Sequence, residues 1–212
     1  MRQNSLLRTP GQPSAIWRPA MEHPARATVW LLVGALVLLA AATSHAKVSG
    51  VVGPSFSLSA KEGYLSSPDG ASLYAWGYSV GAGLMQYPGP TLIVNQGDVV
   101  TVSLTNTLPP TYAQNVSIVF PGQVGVQATG GAPGTLTREA APGGAAVVYT
   151  FTASEPGTYL YHSGTNMELQ CEMGLVGALI VRPTGFDPAN RATWRAYNHA
   201  ASTYDHEYLF FL

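Results

Sequence analysis

Four side chains of the kind that bind soft metal ions lie within a span of twelve residues. They are an imidazole, a thiol and two thioethers: His162, Met167, Cys171 and Met173. Such a set would suit Cu(I) if the groups converged, because thiolate and thioether sulfurs select that ion. Cysteine and methionine are also common in protein cores, and Cys171 and Met173 share a face only if their segment is extended. Buried packing is therefore the favoured interpretation, and a relocated metal site is the alternative.

Two predicted strands must position these side chains. Residues 157–162 are rich in β-branched and aromatic types, and residues 174–181 form a second apolar run. Both patterns favour strands, so the residues between them are expected to form a loop. Ligands in such a loop would be held by the strands on either side.

The composition favours an all-β protein. Only 10% of the residues are charged, whereas Gly (23) and Pro (16) are plentiful, a balance typical of short strands joined by many turns. Beyond residue 46 the chain has six Lys and Arg against ten Asp and Glu. This acidic balance, without a basic cluster, excludes the electrostatic footprint of a nucleic-acid-binding protein.

Residues 1–46 have the pattern of an export signal. Arg26 precedes an apolar run over residues 27–42, and Ser44 and Ala46 are the small residues that signal peptidase requires. The pattern predicts cleavage after Ala46 and a periplasmic or secreted protein that keeps no membrane span; a retained anchor is the alternative. Translation starting at Met21 would give a well-proportioned signal. The single cysteine excludes a disulfide within the chain.

Alternation of apolar and polar residues predicts further strands over residues 55–60, 72–78, 91–94, 99–106, 115–122 and 146–153. The strand at 99–106 has the clearest pattern, because Val100, Val102 and Leu104 share one face. Residues 121–145 are rich in Gly and Pro and are expected to form a long loop, with a short strand within residues 136–139. The predicted architecture is a sandwich.

The tract 87–98 together with residues 102–106 resembles the N-terminal sequence pattern of multicopper oxidases. Residues 157–164 and 174–181 likewise resemble the N-terminal cupredoxin domain of multicopper oxidases and copper nitrite reductases. The resemblance implies a Greek-key cupredoxin (plastocyanin-like) β-sandwich over residues 47–183, a copper cofactor in the family, and oxidoreductase activity of the intact relatives. It also implies that Tyr159 is a tyrosine corner, whose hydroxyl binds a backbone group.

Resemblance to the oxidases places type 2 and type 3 copper ligands at four positions. Two of them, a His-x-His pair in the oxidases, are Val119 and Pro121 here. The other pair is His162 and Gly164. Only His162 can bind a metal, either as a ligand shared with another domain or subunit, or not at all if it is simply hydrogen-bonded or solvated.

Resemblance to the nitrite reductases places a type 1 copper site at four other positions. These are Gln114 and Gln170 for the two histidines, Ser163 for the cysteine and Leu175 for the axial methionine. A type 1 site needs two imidazoles and a thiolate, so no such site is expected here. No catalytic or cofactor-binding residue is assigned, and this chain alone is expected to be inactive as an enzyme.

Two functional hypotheses follow. The chain is either the N-terminal part of an exported multicopper oxidase-like enzyme, or a copper-free structural or interaction module. Residues 184–212 are expected to be a linker with a short helix over residues 189–201, followed by an apolar terminal strand over 208–212. Residues 205–212 resemble the first strand of a second cupredoxin domain. By this resemblance the chain is truncated where that domain starts, and its partners are other cupredoxin domains or subunits. His199 and His206 are predicted to lie at the surface.

Overall fold

Eleven strands and one helix make up the part of the chain that the computed structural model describes, residues 46–112 and 114–211. The predicted export signal therefore lies outside the described residues, apart from Ala46. The strands are β1 (Val51–Val52), β2 (Ser55–Ser66), β3 (Ser72–Val80), β4 (Leu92–Asn95), β5 (Val99–Asn106), β6 (Gln127–Gly130), β7 (Ala132–Pro133), β8 (Arg138–Glu139), β9 (Val147–Thr152), β10 (Gly157–His162) and β11 (Val176–Arg182), and the helix is α1 (Met167–Met173).

The strands form two main sheets that share one core. A four-stranded sheet has the order β1-β4-β11-β10, and a five-stranded sheet has the order β3-β2-β5-β9-β6. Strands β7 and β8 pair separately. Side chains from both main sheets belong to a single buried apolar cluster. This arrangement confirms the predicted all-β sandwich.

Strand β5 has the predicted register. Val100, Val102 and Leu104 are fully buried, whereas Thr101 and Ser103 on the other face are partly exposed. The bounds match because alternation over eight residues specifies which face must be buried. The strands predicted over residues 55–60, 72–78 and 146–153 are also present, as β2, β3 and β9.

Residues 115–122 do not form the predicted strand. The segment makes only single bridges, from Val116 to Ala140 and from Val119 to His162. Between the bridges, tyrosine hydroxyls take the place of a neighbouring strand. The Oη of Tyr78 donates to the carbonyl of Ser117 at 3.1 Å. The residues of this segment are apolar enough for a strand. Between the two backbone bridges, however, the backbone of Ser117 and Ile118 bonds to tyrosine side chains.

Tyr149 provides the second of these hydroxyls, and its removal gives a first prediction. Its Oη accepts from the N–H of Ile118 at 3.0 Å and donates to the carbonyl of Arg138 at 2.8 Å. Tyr149→Phe leaves both backbone groups without this partner, so we expect a loss of about 1–3 kcal/mol in the free energy of unfolding, measured with urea. Tyr64→Phe is the control, because Tyr64 is 71% exposed.

Alkaline pH should give an independent readout of the same interaction. Burial raises the pKa of Tyr149 to about 12, from an ordinary value of 10.0. The folded state therefore favours the neutral phenol, and this contribution is fully present below pH 10 and is lost as the pH rises towards 12. The free energy of unfolding of Tyr149→Phe should therefore fall less with pH over that range than that of the unchanged protein. An equally steep loss in both proteins would contradict the assignment.

Helix α1 lies in the segment that was predicted to be a loop. It follows Asn166, which has a positive φ of 40°, and it stops at Gly174, whose φ of 117° suits a residue without a Cβ. Because the segment is helical, Cys171 and Met173 do not share a face as they would in an extended chain. Met167 and Cys171, one turn apart, lie on the same side instead.

The predicted C-terminal helix over residues 189–201 is wrong. The segment has two separate 3-10 turns, Arg191–Thr193 and Ala200–Ser202. The side chains of Asn190 and His199 accept backbone N–H groups at the start of each turn, and such local bonds compete with a continuous helix. Residues 208–211 are not in a strand, in contrast to the predicted terminal strand, whose last residue, 212, lies outside the described part.

The segment after β11 folds back across the outer face of the four-stranded sheet. Ala178 and Ile180 point away from the shared core and are nevertheless buried. Trp194, only 5% exposed, belongs to the returning segment. The carboxylate of Glu207 forms a salt bridge with Arg182 of β11. The sandwich is thus covered on this face by the chain's own C-terminal residues.

Candidate metal centre

Three of the four positions that the resemblance to nitrite reductases equates with type 1 copper ligands come together in the structure. Ser163 Oγ donates to Gln170 Oε1 at 2.5 Å, and Gln170 Nε2 donates to Gln114 Oε1 at 3.1 Å. The side chains of Ser163 and Gln170 are fully buried. We call Gln114, Ser163 and Gln170 the polar cluster. Leu175, the fourth position, is fully buried.

Separate elements bring the cluster together. Ser163 continues the ladder of β10 by one residue, because its N–H donates to the carbonyl of Leu175 at 3.0 Å. Gln170 belongs to α1, and its N–H donates to the carbonyl of Asn166 at 2.9 Å. Gln114 comes just before the single bridge at Val116. The cluster therefore links the end of a strand, a helix and an irregular segment.

The atoms that join the three side chains of the cluster also have further protein partners. Gln170 Nε2 also donates to the carbonyl of Asn115 at 2.9 Å, and Ser163 Oγ also accepts from the N–H of Thr165 at 3.2 Å. Gln114 Oε1 also accepts a hydrogen bond from Asn166 Nδ2 at 3.3 Å. Buried amides and hydroxyls satisfied in this way stabilise the contact between their segments.

The polar cluster does not fit copper. Its atoms are neutral amide and hydroxyl groups, whereas a type 1 site needs two imidazoles and a thiolate. Leu175 has no lone pair to offer in the axial position. These four positions therefore do not supply the ligands that copper needs.

The positions that correspond to oxidase ligands are also neighbours. Val119 lies opposite His162 in a backbone bridge. A Cβ at Gly164 would lie 2.7 Å from Cγ1 of Val119, so these two positions are close as well. Pro121 lies two residues beyond the bridge. Of this set, only His162 carries a side chain that can bind a metal.

His162 has a fixed orientation. Its Nδ1 lies 2.9 Å from the carbonyl of Ser163, and because a carbonyl only accepts, the ring proton is on Nδ1 in this contact. The half-buried ring then presents Nε2 as its lone-pair nitrogen. A histidine that donates one N–H to a carbonyl has the usual orientation of a metal ligand, although this contact also serves a histidine that binds no metal.

The candidate residues for a relocated site come together only in part. Cys171 Sγ lies 3.8 Å from His162 Nδ1, and Met167 lines the same groove as Cys171. Met173 packs against the hydrophobic core instead. Burial raises the pKa of Cys171, against a smaller lowering by the hydrogen bond to Ser163, so the thiol is protonated at neutral pH. Within residues 46–211, no group of three His, Cys, Asp or Glu side chains could hold a metal ion.

A second layer of polar residues around the cluster was not found from the sequence. The carboxylate of Glu139 accepts from Thr165 Oγ1 at 2.9 Å and from Asn115 Nδ2 at 3.1 Å. Ser117 Oγ accepts from the N–H of Gly164 at 3.1 Å. These residues lie far apart in the chain. The sequence gives one indication of such a network: Gln114, Ser163 and Gln170 carry amide and hydroxyl groups that can hydrogen-bond to one another.

Comparison with known proteins gives matches to multicopper oxidases. The family model described as multicopper oxidase matches residues 80–185. Laccase 1 of Metarhizium acridum is 40% identical over 100 residues, which are 46% of this chain and 15% of the laccase. The L-ascorbate oxidase of Cucurbita pepo var. melopepo is 39% identical over 100 residues, 46% of this chain and 17% of that protein. The matches thus span less than a fifth of these relatives.

Solved structures give the same result. A multi-copper oxidase from Pseudomonas thermotolerans aligns with a TM-score of 0.52 and 26% identity over 66% of this chain and 32% of its own. A blue copper oxidase from Nitrosomonas europaea aligns with a TM-score of 0.50 and 28% identity over 64% of this chain and 40% of its own. The fold is therefore that of the cupredoxin-type oxidases, as predicted.

Proposed function

Because this chain belongs to the multicopper oxidase family, we propose that it is the N-terminal cupredoxin domain of an exported protein of that family and that the domain itself is copper-free. The polar cluster is the observation that carries the proposal. Its positions correspond to those of a type 1 centre, but the side chains bind one another. In this proposal the domain has a structural role, and any oxidase chemistry belongs to other domains.

The proposed role is supported by what the cluster links. Hydrogen bonds among Gln114, Ser163 and Gln170 hold together three segments that a metal ion would otherwise hold. The described residues include no helix that is long and apolar enough to cross a membrane. Partners of the domain are proposed to be other cupredoxin domains or subunits.

Copper loading tests the proposal. We expect the exported protein, incubated with Cu(II) and desalted, to retain far less than one copper per chain and to lack the intense absorption that a copper–thiolate bond gives. The control is the fourfold variant Gln114→His, Ser163→Cys, Gln170→His and Leu175→Met, which should become blue and retain copper. Stoichiometric copper in the unchanged protein would overturn the proposal. Sequencing of the mature N-terminus tests export separately and should give Lys47.

One observation favours a second candidate function. His162 donates through Nδ1 and thereby presents Nε2, the geometry of a ligand in a copper site shared with another domain or subunit. In that case copper would be absent from the separate domain and present in its complex. His162→Ala would then remove copper from the complex, whereas Cys171→Ser would not.

A further inference from the structure

A groove with a volume of about 830 Å³ lies between β10, α1 and the C-terminal residues. Its lining includes large apolar side chains with substantial exposure: Leu160 at 50%, Tyr87 at 50%, Met167 at 43% and Phe210 at 79%. An exposed group of this kind is a common mark of a binding surface.

One wall of the groove is β10, and the side of β10 away from β11 is an open sheet edge. Strand β10 is the last strand of the four-stranded sheet. His162 bonds to Val119 with both its N–H and its carbonyl, on the side away from β11. Because backbone groups alternate along a strand, those of Leu160 and Thr158 point to the same open side. No described residue forms a hydrogen bond with them.

Pro121 explains why this edge stays open. The bridge from Val119 to His162 is antiparallel, so Pro121 lies in the position opposite Leu160. Proline has no N–H to donate, and Gly122, whose φ is 84°, packs against the ring of Tyr159 instead of extending the pairing. The backbone groups of Leu160 and Thr158 therefore have no hydrogen-bonding partner from this segment.

The charge of the groove identifies the kind of partner. Glu168 and Glu172 lie one turn apart on α1, are exposed, and line the groove. The lining includes no Lys or Arg. An acidic, apolar groove beside an unpaired strand complements an extended segment that has both apolar and basic side chains.

We propose that the groove binds an extended, basic and apolar segment of a partner polypeptide, which pairs with the open edge of β10. The backbone of the segment would bond to Thr158 and Leu160, its apolar side chains would contact Leu160 and Met167, and its basic side chains would face Glu168 and Glu172. The inference rests on the proposed structural role, because a domain without its own copper contributes through its surfaces.

A fluorescently labelled peptide of alternating valine and lysine, about ten residues long, is the probe. We expect saturable binding to the full-length mature protein by fluorescence anisotropy. A peptide of alternating valine and glutamate should bind about tenfold more weakly or worse. Two valine–lysine peptides, each N-methylated at every second residue but offset by one residue, should behave differently. The one that lacks the N–H groups facing β10 should lose most of its affinity, and the other should keep it.

Matched variants locate the site. Glu168→Gln with Glu172→Gln should weaken binding about fivefold or more and reduce its dependence on salt. Glu62→Gln is the control, since Glu62 is exposed on β2, outside the groove. Equal binding of the two peptides, no effect of N-methylation, or equal effects of the groove and control variants would each overturn the inference. If the protein is copper-free but does not bind the peptide selectively, the inference about the groove is wrong and the proposed function stands. If the protein binds copper stoichiometrically, the proposed function is wrong, whatever the peptide measurements show.

Discussion

Replacing Gln170 by leucine should lower the free energy of unfolding by about 3 kcal/mol, because buried polar groups lose their partner. The leucine fills a similar volume, so the change tests hydrogen bonding more than packing. It removes the acceptor of Ser163 Oγ, and it removes the donor that serves both Gln114 Oε1 and the carbonyl of Asn115. Gln170 is fully buried, so water cannot replace these bonds without entering the core.

Urea unfolding of the single and double variants measures this effect. Ser163→Ala combined with Gln170→Leu should be more stable than the sum of the two single changes indicates, because the buried hydroxyl is removed with its acceptor. Glu172→Gln on the same helix should change stability by less than about 0.5 kcal/mol, since Glu172 is exposed. A comparably small loss for Gln170→Leu would show that the polar cluster does not hold the three segments together.

The same cluster shows how far the sequence allowed prediction. The structure brings together Gln114, Ser163 and Gln170, which the resemblance treats as counterparts of one site, since the strand end at Ser163 and the segment at Gln114 are set by the sandwich. The hydrogen bonds among them could not be predicted, because they depend on α1. A seven-residue helix has too few residues for a periodic pattern, and most helical stability comes from packing.

Strands were predicted well where burial alone determines them. Val100, Val102 and Leu104 of β5 required one buried face. Residues 115–122 have a similar pattern, but their backbone bonds to Tyr78 and Tyr149, which are remote in the chain. Such partners depend on the finished fold. The C-terminal segment was misjudged for the same reason, because the sheet face that it covers is formed by residues well before it.

Loss of the Glu207 carboxylate should be the most destabilising change in that C-terminal segment. Glu207 Oε2 accepts from Arg182 Nη1 at 2.8 Å and from Tyr204 Oη at 2.8 Å, and Oε1 accepts from Arg182 and from the N–H of Val48. The side chain of Arg182 is 8% exposed. Glu207→Ala leaves that buried cation without its carboxylate, beside only neutral groups such as Tyr204 Oη and the ring of Phe186. We therefore expect a loss of about 3–5 kcal/mol in the free energy of unfolding, measured with urea.

Matched controls separate this buried pair from surface charge. Arg191 and Asp205 form an ion pair in the same segment with 45% and 70% side-chain exposure, and Asp205→Ala should lose at most about 1 kcal/mol. Arg182→Met combined with Glu207→Leu should recover much of the loss, because no charge is then buried alone. Limited proteolysis should cut residues 184–207 of Glu207→Ala faster than those of the unchanged protein.

Acid pH should reproduce the effect of the Glu207 variant. Burial alone would raise the pKa of Glu207, but hydrogen bonds from Arg182 and Tyr204 and the charge of Arg182 outweigh it, and the pKa lies below its ordinary value. The stabilisation is therefore present above the pKa of an unfolded glutamate, about 4.3, and is lost as the pH falls through the lower folded value. Glu207→Ala lacks this contribution at every pH, so the difference between the two proteins should shrink with acid. A difference that stays constant from neutral to acid pH would mean that the carboxylate does not hold the C-terminal segment on the sheet.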